Sequence, residues 1–287
     1  MQSLFIAESL ILREKLELAA RFAAENMPIL IMGEPGAGKA AFAEEIYRRR
    51  NAECAALFRI NCFSPPEDWY GGAAGAIRQG RGLFFNGVDG FNAENQEAAL
   101  RLIEGALGRA FIIASSRLDL EQMALNGSFR KDLALRIGVF PVCLPPLRQR
   151  PEDLKALSVF FLKHSAAACK KKITGFSDSA MERLALYSWP GNARELKNRV
   201  EYAVITGSAE TGLVEASELE LGRFSAAGSG IGPETALKDA VDFFKTEFIK
   251  KTLEFYDGNR SAAARSLDIQ RTYLCALIKS LGIDGGV

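Results

Sequence analysis

One histidine, His164, is all the sequence holds, and its five cysteines, Cys54, Cys62, Cys143, Cys169 and Cys275, lie far apart with no CxxC pair. Neither a structural zinc site nor a disulfide framework fits that spacing, and reduced thiols are expected. No apolar run approaches the roughly 20 residues that cross a bilayer. The first residues show no basic stretch leading into an apolar run, so no secretory leader is expected. Charge of one sign is missing too: Lys and Arg total 36, Asp and Glu 35, a net of +1. No global field draws such a chain to nucleic acid or membrane, and any basic surface must be local. A cytoplasmic protein with no membrane partner is the expectation. At 287 residues and 48% hydrophobic, the chain can bury a substantial core and form more than one domain.

Up to residue 146, helical patterns alternate with short apolar runs. "PILIMG" (28–33), "GLFF" (82–85), "RAFIIAS" (109–115) and "VFPVCL" (139–144) read as buried strands of a mostly parallel sheet. In "AENQEAALRLIEGAL", Ala99, Leu102, Ile103 and Leu107 recur at helical spacing. From Pro151 to about Leu221 the strand signal stops and helical patterns take over, punctuated by "TGFSDS" and "SWPGNA", with Asp178 and Asn192 as candidate helix caps. "FSAAGSGIGPE" (224–234) has the composition of a flexible linker, and the chain beyond it is helical again. The organisation expected is an α/β core over 1–146, a helical segment over 147–222, a linker over 223–236 and a small helical domain over 237–287.

Gly33-Glu34-Pro35-Gly36-Ala37-Gly38-Lys39 fits GxxxxGK directly after a strand and before a helix. Glycines let backbone N–H groups close on phosphate oxygens, the helix N-terminus adds its dipole, and Lys39 would reach the outer phosphates. The next residue is Ala40, where the general motif has a Ser or Thr for magnesium. Alanine cannot ligate a metal ion.

Later segments resemble, in order, the sigma-54-dependent transcription activators, the bacterial enhancer-binding proteins of the AAA+ superfamily. "FRKDLALRIGVFPVCLPPLRQRPEDL" (129–154) is similar to the family's arginine-finger segment and its entry into the helical lid. "WPGNARELKNRVEYAVI" (189–205) is similar to its lid motif, and "GNRSAAARSLDIQRTYLCALIKSLGI" (258–283) to its Fis-type helix-turn-helix. "GEPGAGK" fits its phosphate loop, where the residue after the lysine is usually glutamate. The resemblance implies an AAA+ sheet sandwiched by helices, a lid and a DNA-binding end. Position by position, it implies ATP or ADP bound at 33–40, with Lys39 on the outer phosphates and Arg194 as the lid's sensor arginine. Arg130 and Arg136 would be arginine fingers reaching a nucleotide on the next subunit of a ring. Asn61, in "RINCF", matches an asparagine that pairs with the family's catalytic glutamate. Taken singly, such arginines are more often surface ion pairs; their place within long matching segments argues otherwise.

Several of the family's working parts are missing. Its second nucleotide motif is a strand ending in Asp-Glu, the aspartate for magnesium and the glutamate to activate water. Here the strand runs into Asn86-Gly87, a neutral amide and no base at all. Magnesium would be only weakly held. Asp89 lies two residues further along, roughly 6.6 Å in an extended chain, so it could act as the base only after a local rearrangement. "IIASSR" (112–117) keeps a hydroxyl at Ser116 but puts Arg117 where the family has asparagine. The family's GAFTGA loop, which grips the sigma factor, has at most a vestige in "GGAAGA", in a segment too short to protrude. An unmodified sigma-54 remodelling function is therefore not expected.

At the other end, "SAAARSLDIQRTYLCALIKSLGI" gives two helices around a turn at Asp268, a residue type that tolerates a left-handed backbone. The second helix would enter the major groove. Arg260, Arg265, Arg271, Thr272 and Lys279 are the candidate DNA contacts. Cys275-Ala276-Leu277 stands where the family has Tyr-Arg-Lys, which weakens the electrostatic part of binding; dimerisation or partner docking alone is the other reading of this end. With no sensing domain visible before the core, control is expected from another protein, from expression level or from nucleotide occupancy. The reading is a DNA-binding regulator whose core binds ATP with impaired or absent hydrolysis and self-associates to a dimer or ring; in a mixed ring it could complete the site of an active paralogue. The alternatives are an active ATPase that remodels sigma-54 RNA polymerase, and an interaction protein that binds no nucleotide. A small-molecule kinase would leave the lid and the C-terminal helices unexplained.

Overall fold

The computed structural model describes residues 5–50, 56–106, 108–207 and 212–221, then 245–246, 248–250, 252–253, 256, 259–267 and 269–281. The chain divides into two compact units, Met1–Glu220 and Leu221–Val287.

In the first unit, five parallel strands stand in the order β2-β3-β4-β1-β5. They are β1 (Ile29–Met32), β2 (Phe58–Asn61), β3 (Leu83–Asn86), β4 (Ile112–Ser116) and β5 (Phe140–Cys143). The pleat sends alternate residues to opposite faces. Ile29, Ile31, Phe84, Ile113 and Val142 pack under α1 (Leu10–Ala24) and α2 (Lys39–Arg50). Leu30, Ile60, Leu83, Phe85, Ile112 and Ala114 face α3 (Trp69–Arg78), α4 (Ala93–Ala106) and α6 (Lys131–Ile137). Because both faces are covered, the inner strands β1, β3 and β4 are apolar at nearly every position, which is why they read as continuous runs. Short α5 (Leu120–Leu125) leads into α6.

The fifth strand, β2, escaped the sequence reading. It is one of the sheet's two edges: only Ile60 is buried, while Arg59 and Asn61 face solvent, so "FRIN" has no apolar run to show. The "GGAAGA" stretch is neither loop nor protrusion. It lies in α3, whose Asp68 side chain accepts the Gly71 N–H at 3.1 Å and whose Trp69, Ala73 and Ala76 are buried.

Beyond a single turn at Leu147–Gln149, α7 (Pro151–Cys169), α8 (Asp178–Leu186) and α9 (Asn192–Thr206) form a helical subdomain. Contrary to the all-helical expectation, it contains a two-stranded parallel ladder, β6 (Gly175–Phe176) with β7 (Leu213–Val214). Strands two residues long leave no periodicity to read. The N-cap of α8 is Ser177, whose Oγ accepts the Ala180 N–H, one residue before the expected Asp178. Trp189 is fully buried, and its Nε1 donates to the Leu184 carbonyl at 2.9 Å. Asn192 does not act as the cap of α9; its side chain is used elsewhere.

In the second unit, helix Arg260–Ser266 is capped by Asn259, which accepts the Ser261 and Ala262 N–H groups at 3.1 Å. It packs through Ala263 and Ala264 on Leu274 and Ile278 of helix Arg271–Ser280, with Ile249 in the same cluster. The linker at 223–236, Asp268 and the Lys279 side chain lie outside the described residues.

Candidate nucleotide site

Strand order reverses around β1, whose neighbours β4 and β5 lead to opposite sides of the sheet. Such switch points open a crevice beyond the strands' carboxyl ends. Residues 33–38 cross it, and Lys39 opens α2. The Lys39 ammonium is tied to its own loop, donating to the carbonyls of Gly33 at 2.5 Å and Glu34 at 3.0 Å. Burial lowers its pKa; Asp89 counters that electrostatically, while Arg117 and Arg194 add to it. These three charges therefore all act on the loop lysine.

The loop is fastened to the helical subdomain. Glu34 takes a bidentate ion pair from Arg148, at 2.9 and 2.7 Å, and a bond from Asn192 Nδ2 at 3.0 Å. These donors hold its carboxyl down at a pKa of about 2. Asn192, fully buried and with φ +53°, also donates to the Pro35 carbonyl at 3.1 Å and accepts the Leu147 N–H at 2.7 Å. Gly36 explains itself here: with φ +78°, a Cβ would lie 2.1 Å from the Gly191 carbonyl oxygen and 3.2 Å from Arg194 Cβ. Arg194 thus sits beside the loop.

A second fastening runs to the N-terminal segment. Buried Arg150 donates to the Ala37 carbonyl at 3.1 Å and lies 3.6 Å from Asp153. Asp153, fully buried, accepts the Glu8 N–H at 2.6 Å, the Ser9 N–H at 2.9 Å and the Ser9 hydroxyl at 2.6 Å. Sequence reading missed Arg148, Arg150 and Asp153, because their partners lie more than a hundred residues away.

The ends of β2, β3 and β4 carry the rest. Asn61 and Asn86 are register partners, and both are exposed. The Asn86 amide oxygen accepts the Ser115 hydroxyl at 3.3 Å. Gly87 follows with φ +80°, and its N–H reaches Ser115 Oγ at 3.0 Å. A Cβ at Gly87 would lie 2.2 Å from the Phe63 ring, and one at Gly90 2.3 Å from it. The ring occupies the space that side chains at both positions would need. The Arg117 guanidinium stacks on that ring, 4.0 Å from its centroid. Asp89, its side chain fully buried, accepts Arg117 Nε at 2.9 Å and the Arg117 N–H at 3.2 Å. It is committed to an ion pair rather than placed to activate water. Nor do the donors fit magnesium: Ala40 and Gly87 have none, Asn86 offers a neutral amide, and Asp89 is occupied. No group of three or more His, Cys, Asp or Glu side chains suited to a metal ion occurs among the described residues.

The remaining candidates lie apart. Arg130, N-terminal to α6, pairs with Asp132 at 2.7 Å, and Arg136 approaches Glu104 at 3.4 Å; both are exposed. In the second unit Arg260, Arg265, Arg271 and Thr272 are exposed.

Two family models match the chain: Sigma-54 interaction domain over residues 7–147 and AAA+ ATPase lid domain over 148–227. The anaerobic nitric oxide reductase transcription regulator NorR of Aeromonas salmonicida is 28% identical over 91% of this chain and 60% of its own length. The regulatory protein AtoC of Escherichia coli is 29% identical over 92% of this chain and 65% of its own. The chain thus spans about three fifths of the length of such relatives. Among solved structures, NtrX from Brucella abortus in complex with ATP superposes with a TM-score of 0.66 at 28% identity, over 97% of this chain and 69% of that one. The same protein is also known with ADP. Thermotoga maritima RuvB, at 18% identity and a TM-score of 0.53, shares the fold.

Proposed function

The chain belongs to the sigma-54-dependent activators of the AAA+ superfamily, and from that premise we propose that it is a DNA-binding transcriptional regulator that holds ATP as a ligand and does not hydrolyse it. The grip is supported by the Gly33–Lys39 loop, by the neighbouring Arg194, and by the ATP and ADP complexes of NtrX. The loss of hydrolysis rests on one observation above all. The Phe63 ring fills the place of a side chain at Gly87, beside an Asn86 that carries no charge. Removing the base and filling its space leaves nothing to orient an attacking water.

ATP would then act by mass action. A ligand that binds one state alone stabilises it by about 2.7 kcal/mol at a hundredfold excess over its dissociation constant. That is enough to drive a dimer or ring. Arg130, just before α6, and Arg136, on it, are both exposed and would serve a neighbouring subunit, and a mixed ring with an active paralogue would use them in trans. DNA contact falls to Arg260, Arg265, Arg271, Thr272 and Lys279 on the two C-terminal helices, read as a helix-turn-helix. Any magnesium would be weakly held.

A second reading is an active ATPase that remodels sigma-54 RNA polymerase. It is favoured by the Sigma-54 interaction domain match over 7–147, which lends no support to the expectation that sigma-54 contact is lost. Labelled ATP separates the two. Binding that needs Lys39, without phosphate release, supports the first; steady release abolished by Lys39→Ala supports the second; no binding at all sinks both.

A further inference from the structure

Five positions in the site depend on one another. Glycine at 87 and at 90 admits the Phe63 ring, since a Cβ at either would come within 2.3 Å of it. The ring carries the Arg117 guanidinium on its face. Arg117 in turn neutralises Asp89, whose buried carboxylate would otherwise stand alone. Asp89 engages only the backbone N–H and Nε of Arg117. The two terminal nitrogens donate to nothing among the described residues, so a fork of N–H groups remains for an anion, the geometry that suits a phosphate.

The charge count points the same way. The charges that act on Lys39 are the cations Arg117 and Arg194 and the single carboxylate Asp89. With Lys39 itself, three cations against one anion leave two positive charges for phosphates, with no metal counted. The side chains that would have bound the metal are absent in the same stroke: Ala40, Asn86 and Gly87 supply no charged oxygen.

We propose that the Phe63–Arg117–Asp89 cluster takes the place of a divalent cation, so that the site binds the metal-free nucleoside triphosphate and Arg117 distinguishes triphosphate from diphosphate. The proposal rests on the nucleotide-binding reading above. Regulation by such a site would follow the ratio of ATP to ADP without a requirement for free magnesium.

The test is equilibrium binding of ATP and of ADP to the full chain, in excess magnesium and in excess EDTA. Wild-type protein is expected to bind ATP in EDTA at least as tightly as in magnesium, within about threefold. Arg117→Gln is expected to weaken ATP by about tenfold or more, the size of a lost charge-assisted hydrogen bond, and ADP by less than about threefold. Should Arg117→Gln fail to fold with Asp89 left unpaired, Arg117→Gln/Asp89→Asn removes both charges and carries the same comparison. A tenfold loss of wild-type ATP binding in EDTA overturns the proposal while leaving nucleotide binding intact. Equal weakening of ATP and ADP by Arg117→Gln also overturns it. Absence of ATP binding in both conditions, with Lys39→Ala indistinguishable from wild type, overturns the nucleotide-binding reading itself.

Discussion

Gly87→Glu is the direct attempt to give the site back a catalytic base, and the geometry argues that it destabilises the protein without restoring turnover. Gly87 sits at φ +80°. An L-residue there costs about 1–2 kcal/mol from contact between Cβ and the backbone. The new Cβ would also lie 2.2 Å from Phe63 Cε2, so the ring must leave. Phe63 is 47% exposed and can swing outward, but it gives up its contact with Arg117, about 0.5–1 kcal/mol at an exposed site. If the ring is held, overpacking adds about 1–3 kcal/mol instead. The sum is about 1.5–3 kcal/mol if the ring leaves and about 2–5 kcal/mol if it is held. For a unit of this size, each kcal/mol moves Tm by about 2–4 °C, so a fall of about 5–15 °C is expected by calorimetry. The partner variants separate the two causes. Phe63→Ala/Gly87→Glu removes the clash but not the backbone cost, and the cycle should show a favourable coupling of about 1–2 kcal/mol. Strict additivity, or a Gly87→Glu protein that melts like wild type, would refute the packing argument. Steady phosphate release from Gly87→Glu alone would show that the ring yields freely and that the plug is no obstacle.

Acid should loosen the bond between the phosphate loop and the lid. Glu34 has a folded pKa of about 2 against an ordinary 4.5, so its stabilisation is complete above about 4.5 and disappears as pH falls through about 2. Melting curves of wild type and Glu34→Gln should therefore differ at pH 7 and converge on acidification; a gap that stays constant would assign the effect to something other than the carboxylate. Trp189→Ala, which empties a fully buried site and removes the bond to Leu184, should cost about 3–5 kcal/mol, read by denaturant unfolding. Arg130→Ala and Arg136→Ala each break an exposed ion pair and should leave thermal stability and nucleotide binding of the isolated chain unchanged. Their effect should appear only in mixtures with an active paralogue, as an altered rate of ATP hydrolysis; no change in any mixture would remove their role in trans.

What the sequence disclosed followed from local pattern. β1, β3 and β4 lie inside the sheet with both faces covered, and such strands announce themselves as apolar runs; β5, the other edge, is half-exposed and showed only because its residues happen to be apolar. The glycine loop carries its own spacing, and the change at Asn86-Gly87 stands beside a strand that marks where it belongs. The edge strand β2 was illegible because a half-exposed edge tolerates Arg59 and Asn61. Asn192 resembled a cap because asparagine before a helix usually is one; nothing local to it indicates that its amide spans from Leu147 to Pro35. Asp89 was weighed as a stand-in base from its distance along the chain. Its real partner is Arg117, 28 residues on, and no periodicity links the two. Phe63 carries no signal in the sequence, since only the fold brings its ring over two glycines.

The ties from Ser9 through Asp153 and Arg150 to the Ala37 carbonyl make the stretch before α1 a mechanical handle. None of its residues needs to touch a nucleotide. Drawing Ser9 away uncovers Asp153, takes the counter-charge from Arg150 and slackens its hold on the loop. A substitution at Ser9 should therefore be felt at Gly36-Ala37-Gly38, more than twenty-five residues along the chain, through Asp153 and Arg150 alone.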